Sequence, residues 1–213
     1  YYGRNDWAGR LRRHSAWVLD SPASNAMAHF LHLALFLLGS EVGRSAPATE
    51  VAAELYRANH IESYDTCSMV VTVDDAVPVH ICFTHACVQP RRPVVRLRMS
   101  DAVITCRVGD DVTISTSRGT ESIVLSPNPW EHAMRIFRRV LREGPDAGVV
   151  ASLEMAREHT VVVNAASEAA GVVTVPRGRA RHDPQEASPL RPRPLPAGDR
   201  HGQRAHPDRA GGQ

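Results

Sequence analysis

Residues 49–115 constrain the fold most strongly, because apolar and polar side chains alternate there over six consecutive short segments. A period of two residues is typical of β-strands with one buried face. Turn-forming pairs such as Asp74-Asp75 and Gly109-Asp110 separate the segments. Consecutive strands joined by short turns pair antiparallel. We therefore predict strands at residues 49–56, 66–73, 77–86, 94–99, 103–108 and 112–115.

A short strand, a corner and a buried helix are predicted for residues 17–39. Ser21 is a good N-cap, and Pro22 follows at the first helical position, where its missing N–H costs nothing. The helix runs to Gly39, which we expect to adopt the left-handed conformation after the helix end. Its apolar part is about half of the ~20 residues that a bilayer span requires, so no membrane association is predicted. One stripe of the helix is polar and contains Asn25, His29 and His32.

Two further helices are predicted after the strands. One begins at Asn128, an N-cap followed by Pro129 and, at capping-box spacing, by Glu131. Its arginines are interpreted as a solvated face, so no nucleic-acid partner is predicted. The other spans residues 149–169. The side chains expected to face inward are Trp130, Met134, Phe137 and Leu141 in the former helix, and Leu153, Ala156, Thr160, Val163 and Ala166 in the latter.

These elements predict an α+β fold, in which a large, mostly antiparallel sheet packs against flanking helices. A hydrophobic content of 43% is ample for one domain, which we assign to residues 1–175. Residues 176–213 are rich in Arg and Pro and have almost no large apolar side chains, so a disordered tail is predicted. The net charge is +2, and all 25 basic residues other than His are Arg, so no lysine can act as a catalytic base.

One segment has the composition of a metal site, because His80, Cys82, His85 and Cys87 occur within eight residues. Strand geometry directs His80 and Cys82 to one face and the other two to the opposite face. A single tetrahedral site cannot use all four, so no metal site is predicted. The cysteines lack CxxC spacing and lie in predicted strands, so they are interpreted as free buried thiols.

The residues around His29 resemble a motif of the Gfo/Idh/MocA oxidoreductases, a family that includes glucose-fructose oxidoreductase and inositol dehydrogenases. In that motif a strand end is followed by Asp or Asn, by His four residues later, and by Gly ten residues after the His; Asn25, His29 and Gly39 match it. Residues 4–9 and 56–63 are similar to a bacterial branch of the family, and the resemblance covers about residues 1–173.

The resemblance implies the C-terminal domain of such an enzyme, with a glyceraldehyde-3-phosphate dehydrogenase-like fold whose sheet forms a homo-oligomer surface. The NAD- or NADP-binding Rossmann domain is missing, and no GxGxxG motif occurs in the chain, so no cofactor-binding residue is assigned. The chain also begins at Tyr1 without Met, so we expect a fragment. Without a signal peptide, a cytoplasmic location is the default prediction.

The resemblance also assigns roles to individual residues. His29 matches the catalytic acid/base, and the substrate, a sugar or polyol, is expected to contact Asn25, Asn5, Trp7, Arg57 and His85. Asn25 stands where many members have Asp, which leaves His29 without the usual carboxylate partner.

Two functional hypotheses follow. The first is the substrate-binding and dimerisation domain of an NAD(P)-dependent dehydrogenase that transfers a hydride between the cofactor and a substrate hydroxyl, inactive as this fragment. The alternative is a noncatalytic binding or assembly module on the same fold, which the Asn at position 25 and the unusual tail favour.

Overall fold

The computed structural model describes residues 1–176 except 4, 75, 88, 90, 126, 127, 149 and 150, together with residues 193 and 194. The strands are β1 (Arg12–Arg13), β2 (Ala16–Trp17), β3 (Ala48–Arg57), β4 (Thr66–Val73), β5 (Val77–Thr84), β6 (Val94–Arg98), β7 (Ala102–Arg107), β8 (Val112–Thr116), β9 (Gly119–Ile123), β10 (Val172–Thr174) and β11 (Arg193–Pro194). The helices are a π-helical turn (Pro22–Ala26), α1 (Ala28–Leu37), α2 (Pro129–Glu143), a 3₁₀ turn (Pro145–Ala147) and α3 (Leu153–Ala169).

The main sheet has the order β10-β3-β4-β5, with β11 also paired to β3. The pairs β3–β4 and β4–β5 are antiparallel, whereas β10 runs parallel to β3. The alternation predicted for β4 is confirmed, since every second side chain of this strand is buried and the others are half-buried. The buried ones are Cys67, Met69, Val71 and Val73.

The hydrophobic core lies between this face of the sheet and two helices. Leu31 and Leu35 come from α1, and Val162, Val163 and Ala166 come from α3. Complete burial of an aliphatic side chain of this size contributes about 1.5–3 kcal/mol. The predicted α+β class is therefore confirmed, with α1 and α3 covering one face of the sheet.

The prediction of one large sheet is wrong for the described residues. Strands β6 to β9 form a separate four-stranded antiparallel meander, in the order β6-β7-β8-β9. Two prolines, at positions 90 and 93, lie between β5 and β6. Proline has no N–H to donate to a ladder, so a strand is not expected to continue through this connection. Strands β9 and β10 were not predicted, and β5 ends at Thr84 rather than at residue 86.

The corner before α1 departs from the sequence-based prediction in three ways. The strand ends at Trp17, because Leu19 has a positive φ of 49°. Ser21 caps the helix and Pro22 follows it as predicted, but the first turn is π-helical and the α-helix starts only at Ala28. Gly39 is not left-handed; instead, a Cβ at this position would overlap the Arg44 carbonyl oxygen.

The two later helices agree with the prediction in position but not in packing. Asn128 caps α2, and its side chain accepts a hydrogen bond from Glu131 N at 3.1 Å. The apolar stripe of α2 is exposed, as Trp130 shows with 81% relative exposure. Helix α3 starts at Leu153, which is 86% exposed. The predicted inward positions Ala156 and Thr160 are also exposed, because the buried stripe of α3 begins at Met155.

Most of the predicted tail, residues 177–192 and 195–213, lies outside the described residues, so the disorder of that part stays a prediction. The prediction of disorder is wrong for Arg193–Pro194, which form β11 and pair antiparallel with β3. Within the described part of the chain, no helix combines the length and the apolar character that a membrane crossing needs.

We expect Gly39→Ala to lower the free energy of unfolding by about 1–3 kcal/mol, the usual cost of forcing an extra group into a packed site. Urea denaturation measures this change. Gly171→Ala is the matched control, since a Cβ at position 171 meets no atom within 4 Å. Equal stability of the two variants would contradict the close contact between residues 39 and 44.

The contact between α1 and α3 should make stability depend on pH. Burial, and secondarily the charge of His159, lower the pKa of His32 below 6.5. His32 therefore binds a proton more readily in the unfolded chain than in the folded chain. Its contribution to the free energy of unfolding is complete above pH 6.5 and is lost as the pH falls. Urea denaturation at a series of pH values measures the free energy of unfolding. In His32→Asn this free energy should fall less toward acid pH, whereas the exposed control His132→Asn should show the same fall as the unmodified chain.

Candidate functional site

The corner from Leu19 to Asn25 forms the base of the candidate site. Ser21 and Ser24 cap each other's backbone N–H, and the Ser24 hydroxyl donates to the Leu19 carbonyl oxygen at 2.7 Å. These bonds hold Leu19 in its left-handed conformation. Met27 N then donates to the Pro22 carbonyl oxygen at 2.9 Å, which is the wide π-type turn. Such turns occur frequently at functional sites, and this one presents the exposed side chain of Asn25.

Asp20 is a buried carboxylate, 2% exposed, at the centre of this corner. Its Oδ2 accepts a hydrogen bond from Gly9 N at 2.6 Å. Its Oδ1 accepts from Asn25 Nδ2 at 2.9 Å and from the Tyr1 hydroxyl at 3.2 Å. Three donors therefore compensate the burial of this group, which would otherwise be costly.

Two aromatic side chains extend the cluster to His85. The Tyr2 hydroxyl and His85 Nδ1 are hydrogen-bonded at 3.1 Å, and the Tyr1 ring lies 4.7 Å from the His85 ring. Burial lowers the pKa of His85, against the opposing charges of Asp20 and Asp65. Burial also raises the pKa of Tyr2. Both partners are thus neutral at neutral pH.

Asp65 fixes the loop beside His85 and is fully buried. Its carboxylate accepts hydrogen bonds from the backbone N–H groups of Ala58 and Asn59 and from the Asn59 side chain, at 2.7–3.2 Å. Its carbonyl oxygen accepts from His85 N at 2.8 Å. The position of His85 therefore depends on the ordered loop that follows β3.

Gly9 joins the N-terminal segment to both Asp20 and the loop after β3. Its carbonyl oxygen accepts from Glu62 N and Ser63 N, each at 2.9 Å. Its φ is +74°, and a Cβ would lie 2.6 Å from the Ile61 side chain. Only glycine fits this conformation and this close approach without displacing its neighbours.

The structure brings two of the predicted site residues into one cluster. Asn25 and His85 meet through Tyr1, whose hydroxyl accepts a hydrogen bond from Asn25 Nδ2 at 2.8 Å while its ring packs on His85. His29 is exposed on α1, and its ring packs against Phe30 at 4.2 Å. Within the described part of the chain, no hydrogen bond or ion pair joins His29 to Asn25, His85 or Asp20.

The other three predicted residues lie around the N-terminal loop. Asn5 Oδ1 accepts from Trp7 N and Ala8 N, at 3.2 and 2.8 Å, and so closes its own loop. Arg57 donates to the carbonyl oxygens of Ile61 and Glu62, at 3.0 and 2.7 Å. A cavity of about 380 Å³ opens beside Asn5, and its lining includes Tyr2, Gly9, His60 and Glu62. Trp7 is half-buried and does not line this cavity.

The arrangement suits a polar, uncharged ligand better than a metal ion. The described residues contain no group of three or more His, Cys, Asp or Glu side chains that could hold a metal. On β5, His80 and Cys82 are both exposed while Ile81 between them is buried. The described residues also contain no Gly-rich turn between a strand and a helix, so they lack the usual dinucleotide site. What they offer is an exposed imidazole, a fixed amide and a neutral Tyr–His pair.

Sequence reasoning missed several residues that build the site. Gly9 was identifiable only as a glycine in a polar loop, and Tyr1, Tyr2 and Asp65 carry no local pattern that predicts their partners. Tyr1 and Tyr2 contact residues that lie far along the chain, and no spacing rule in the sequence can reveal such contacts. Asp20 is a carboxylate close to His29 in the sequence, but in the structure it contacts Asn25 rather than His29.

No protein-family model matches the chain, and no curated protein sequence matches it significantly. Solved structures do match its fold. A UDP-N-acetylglucosamine 3-dehydrogenase from Acidithiobacillus ferrooxidans has a TM-score of 0.56 at 17% identity, over 70% of this chain and 48% of that one. An oxidoreductase from Agrobacterium radiobacter, in complex with NAD+, L-tartaric acid and magnesium, has a TM-score of 0.55 at 14% identity, over 76% and 48%.

A 3-ketoreductase from Actinomadura kijaniata, in complex with TDP-benzene and NADP, has a TM-score of 0.55 at 15% identity, over 72% of this chain and 48% of that one. Identities this low show the fold alone. The chain spans about half the length of each of these three structures. Its fold is therefore that of one half of several NAD(P)-dependent oxidoreductases.

Proposed function

We propose that this chain is the substrate-binding half of an NAD(P)-dependent oxidoreductase that transfers a hydride between the cofactor and a sugar or polyol hydroxyl. The observation that supports this most strongly is the fold, shared with half of a sugar-nucleotide dehydrogenase and of a 3-ketoreductase. The resemblance of the residues around His29 to the Gfo/Idh/MocA oxidoreductases supports the same activity from the sequence.

In this proposal His29 is the acid/base. Its imidazole is exposed and makes no hydrogen bond to another described residue, so a ring nitrogen is open to a substrate hydroxyl. Imidazole is the usual side chain for proton transfer near neutral pH. His29 would take the hydroxyl proton as the hydride leaves the same carbon. The nicotinamide cofactor, NAD or NADP, would be bound mainly by another domain and would accept that hydride.

The remaining predicted residues would surround the substrate. Asn25 and His85 belong to the cluster that Asp20 and the two tyrosines hold in place. Asn5 lines the cavity beside the N-terminal loop, and Arg57 holds the loop after β3, whose Ile61 and Glu62 also line that cavity. Trp7 lies between Asn5 and Gly9 in sequence and would contribute an apolar surface for the sugar ring.

The alternative, a noncatalytic binding or assembly module, is favoured by one observation. The buried carboxylate of Asp20 binds Asn25, and within the described residues no carboxylate contacts the His29 ring. A base without a polarising partner is a weaker base. The same experiment distinguishes the two functions.

We expect the protein expressed from the full natural reading frame that contains this chain to reduce NAD+ or NADP+ with a sugar, a polyol or UDP-N-acetylglucosamine. The absorbance of NAD(P)H measures this reaction. His29→Ala should lower kcat/KM by about 100- to 10,000-fold, the usual contribution of a general acid/base. His132→Ala is the matched control, since His132 is an exposed histidine on α2. Turnover that His29→Ala leaves unchanged would contradict the proposed role of His29. No turnover with any of these substrates would favour the noncatalytic module.

We also propose that the chain forms a homo-oligomer through the meander sheet. The pairing register places seven apolar side chains larger than alanine on one face of it, and none of them is buried. An unburied apolar sheet face of this kind is typical of protein interfaces. The seven are Val95, Leu97, Ile104, Cys106, Val112, Ile114 and Ile123. The cytoplasmic location predicted from the sequence stays a prediction.

Analytical ultracentrifugation of the chain should therefore detect an oligomer, and Ile104→Glu should shift it to monomer, because the new carboxylate would be buried at the interface. Thr105→Glu is the control, since Thr105 lies on the opposite face of the same strand. A monomeric wild-type chain, or an equal effect of the two variants, would contradict the proposed interface.

A further inference from the structure

Asn25 has a side-chain amide whose two N–H groups are both engaged. Nδ2 donates to Asp20 Oδ1 at 2.9 Å and to the Tyr1 hydroxyl at 2.8 Å. An amide nitrogen has two hydrogens, so its donor capacity is used completely. Within the described residues no donor contacts Asn25 Oδ1, although the residue is exposed. The amide therefore offers its surroundings one group, a hydrogen-bond acceptor.

Asp20 determines this orientation. An ionised carboxylate only accepts hydrogen bonds, so it can bind the amide through Nδ2 but not through Oδ1. Asp20 itself cannot turn away, because Gly9 N holds its other oxygen at 2.6 Å and the side chain is buried. The left-handed conformation of Leu19 and the Ser21–Ser24 capping box fix the backbone on both sides.

We propose that Asp20 is a positioning residue that locks the Asn25 amide with Oδ1 directed outward, as a neutral acceptor for a hydroxyl group of the ligand. The ligand class in this statement rests on the proposed function. The fixed orientation of the Asn25 amide does not rest on the proposed function, and measurements without a ligand test it. A failure of the fixed orientation can therefore be distinguished from a failure of the proposed function.

The lock predicts that Asp is unfavourable at position 25, although many members of the resembled family carry it there. Asn25→Asp would bring a second carboxylate to hydrogen-bond distance of Asp20 Oδ1. Two carboxylates that share a site cannot both ionise, so the pKa of one of them is raised in the folded chain. A raised pKa gives stability that is present at acid pH and lost as the pH increases toward neutral.

Thermal unfolding of the full chain tests this expectation. At neutral pH, Asn25→Asp should lower the melting temperature by at least about 2–4 °C, and the deficit should shrink toward about pH 5. The exchanged pair Asp20→Asn with Asn25→Asp should largely restore stability, because an amide at position 20 can accept from Gly9 N and donate to the new carboxylate. A merely structural cavity or packing defect would not show this pH dependence or this rescue.

A second measurement covers the case in which Asn25→Asp fails to fold. The side-chain amide hydrogens of Asn25, followed by NMR, should exchange slowly in the wild-type chain. They should exchange faster in Asp20→Asn, because an amide at position 20 can pair with either orientation of the Asn25 amide and so leaves it free to rotate by 180°. Fast exchange in the wild type, a melting temperature of Asn25→Asp that is independent of pH, or an exchanged pair no more stable than Asn25→Asp would each overturn the proposal.

Discussion

The burial of one face of β4 is the constraint on which the rest of the structure depends. Cys67, Met69, Val71 and Val73 form a continuous apolar surface, and α1 and α3 cover it. These helices are distant in sequence, and the strands β3 to β5 lie between them. Because both helices pack on the same face, the turn before α1 and the end of α3 are fixed relative to the sheet. The corner that presents Asn25, and α1, which carries His29, are positioned from that base.

The candidate site adds a second, polar layer of organisation to this core. Asp20 and Asp65 are both buried, and each is surrounded by donors from more than one segment. Such groups are costly to bury without partners, so each holds its own surroundings in a defined arrangement. Asp20 fixes the N-terminal segment and Asn25, while Asp65 fixes the loop after β3, and the Asp65 carbonyl oxygen accepts a hydrogen bond from His85 N. The two networks meet at Tyr2 and His85.

Local sequence signals predicted the elements well where the signal was itself local. The cap at Ser21, the proline after it, the cap at Asn128 and the strict alternation of β4 were all recognisable, because each depends on neighbouring residues. The predicted left-handed conformation of Gly39 was wrong. The predicted inward stripe of α3 was confirmed at Val163 and Ala166 and wrong at Leu153, Ala156 and Thr160. In both cases the deciding contact was tertiary: the Arg44 carbonyl lies against Gly39, and the core buries Val162, Val163 and Ala166 of α3. Asn25 and His85 were identifiable as candidates, but their connection through Tyr1 was not.

The sequence by itself determined the α+β class, the order of the main strands and helices and the helix caps, because these follow from periodicity and from hydrogen bonds within a few residues. Only the tertiary structure decided that strands β3 to β9 divide between two sheets, that β10 joins β3 in parallel, and that Asp20 binds Gly9, Asn25 and Tyr1. These outcomes depend on pairings between distant segments. Their free energy comes from burying surfaces and satisfying donors that do not meet until the chain has folded.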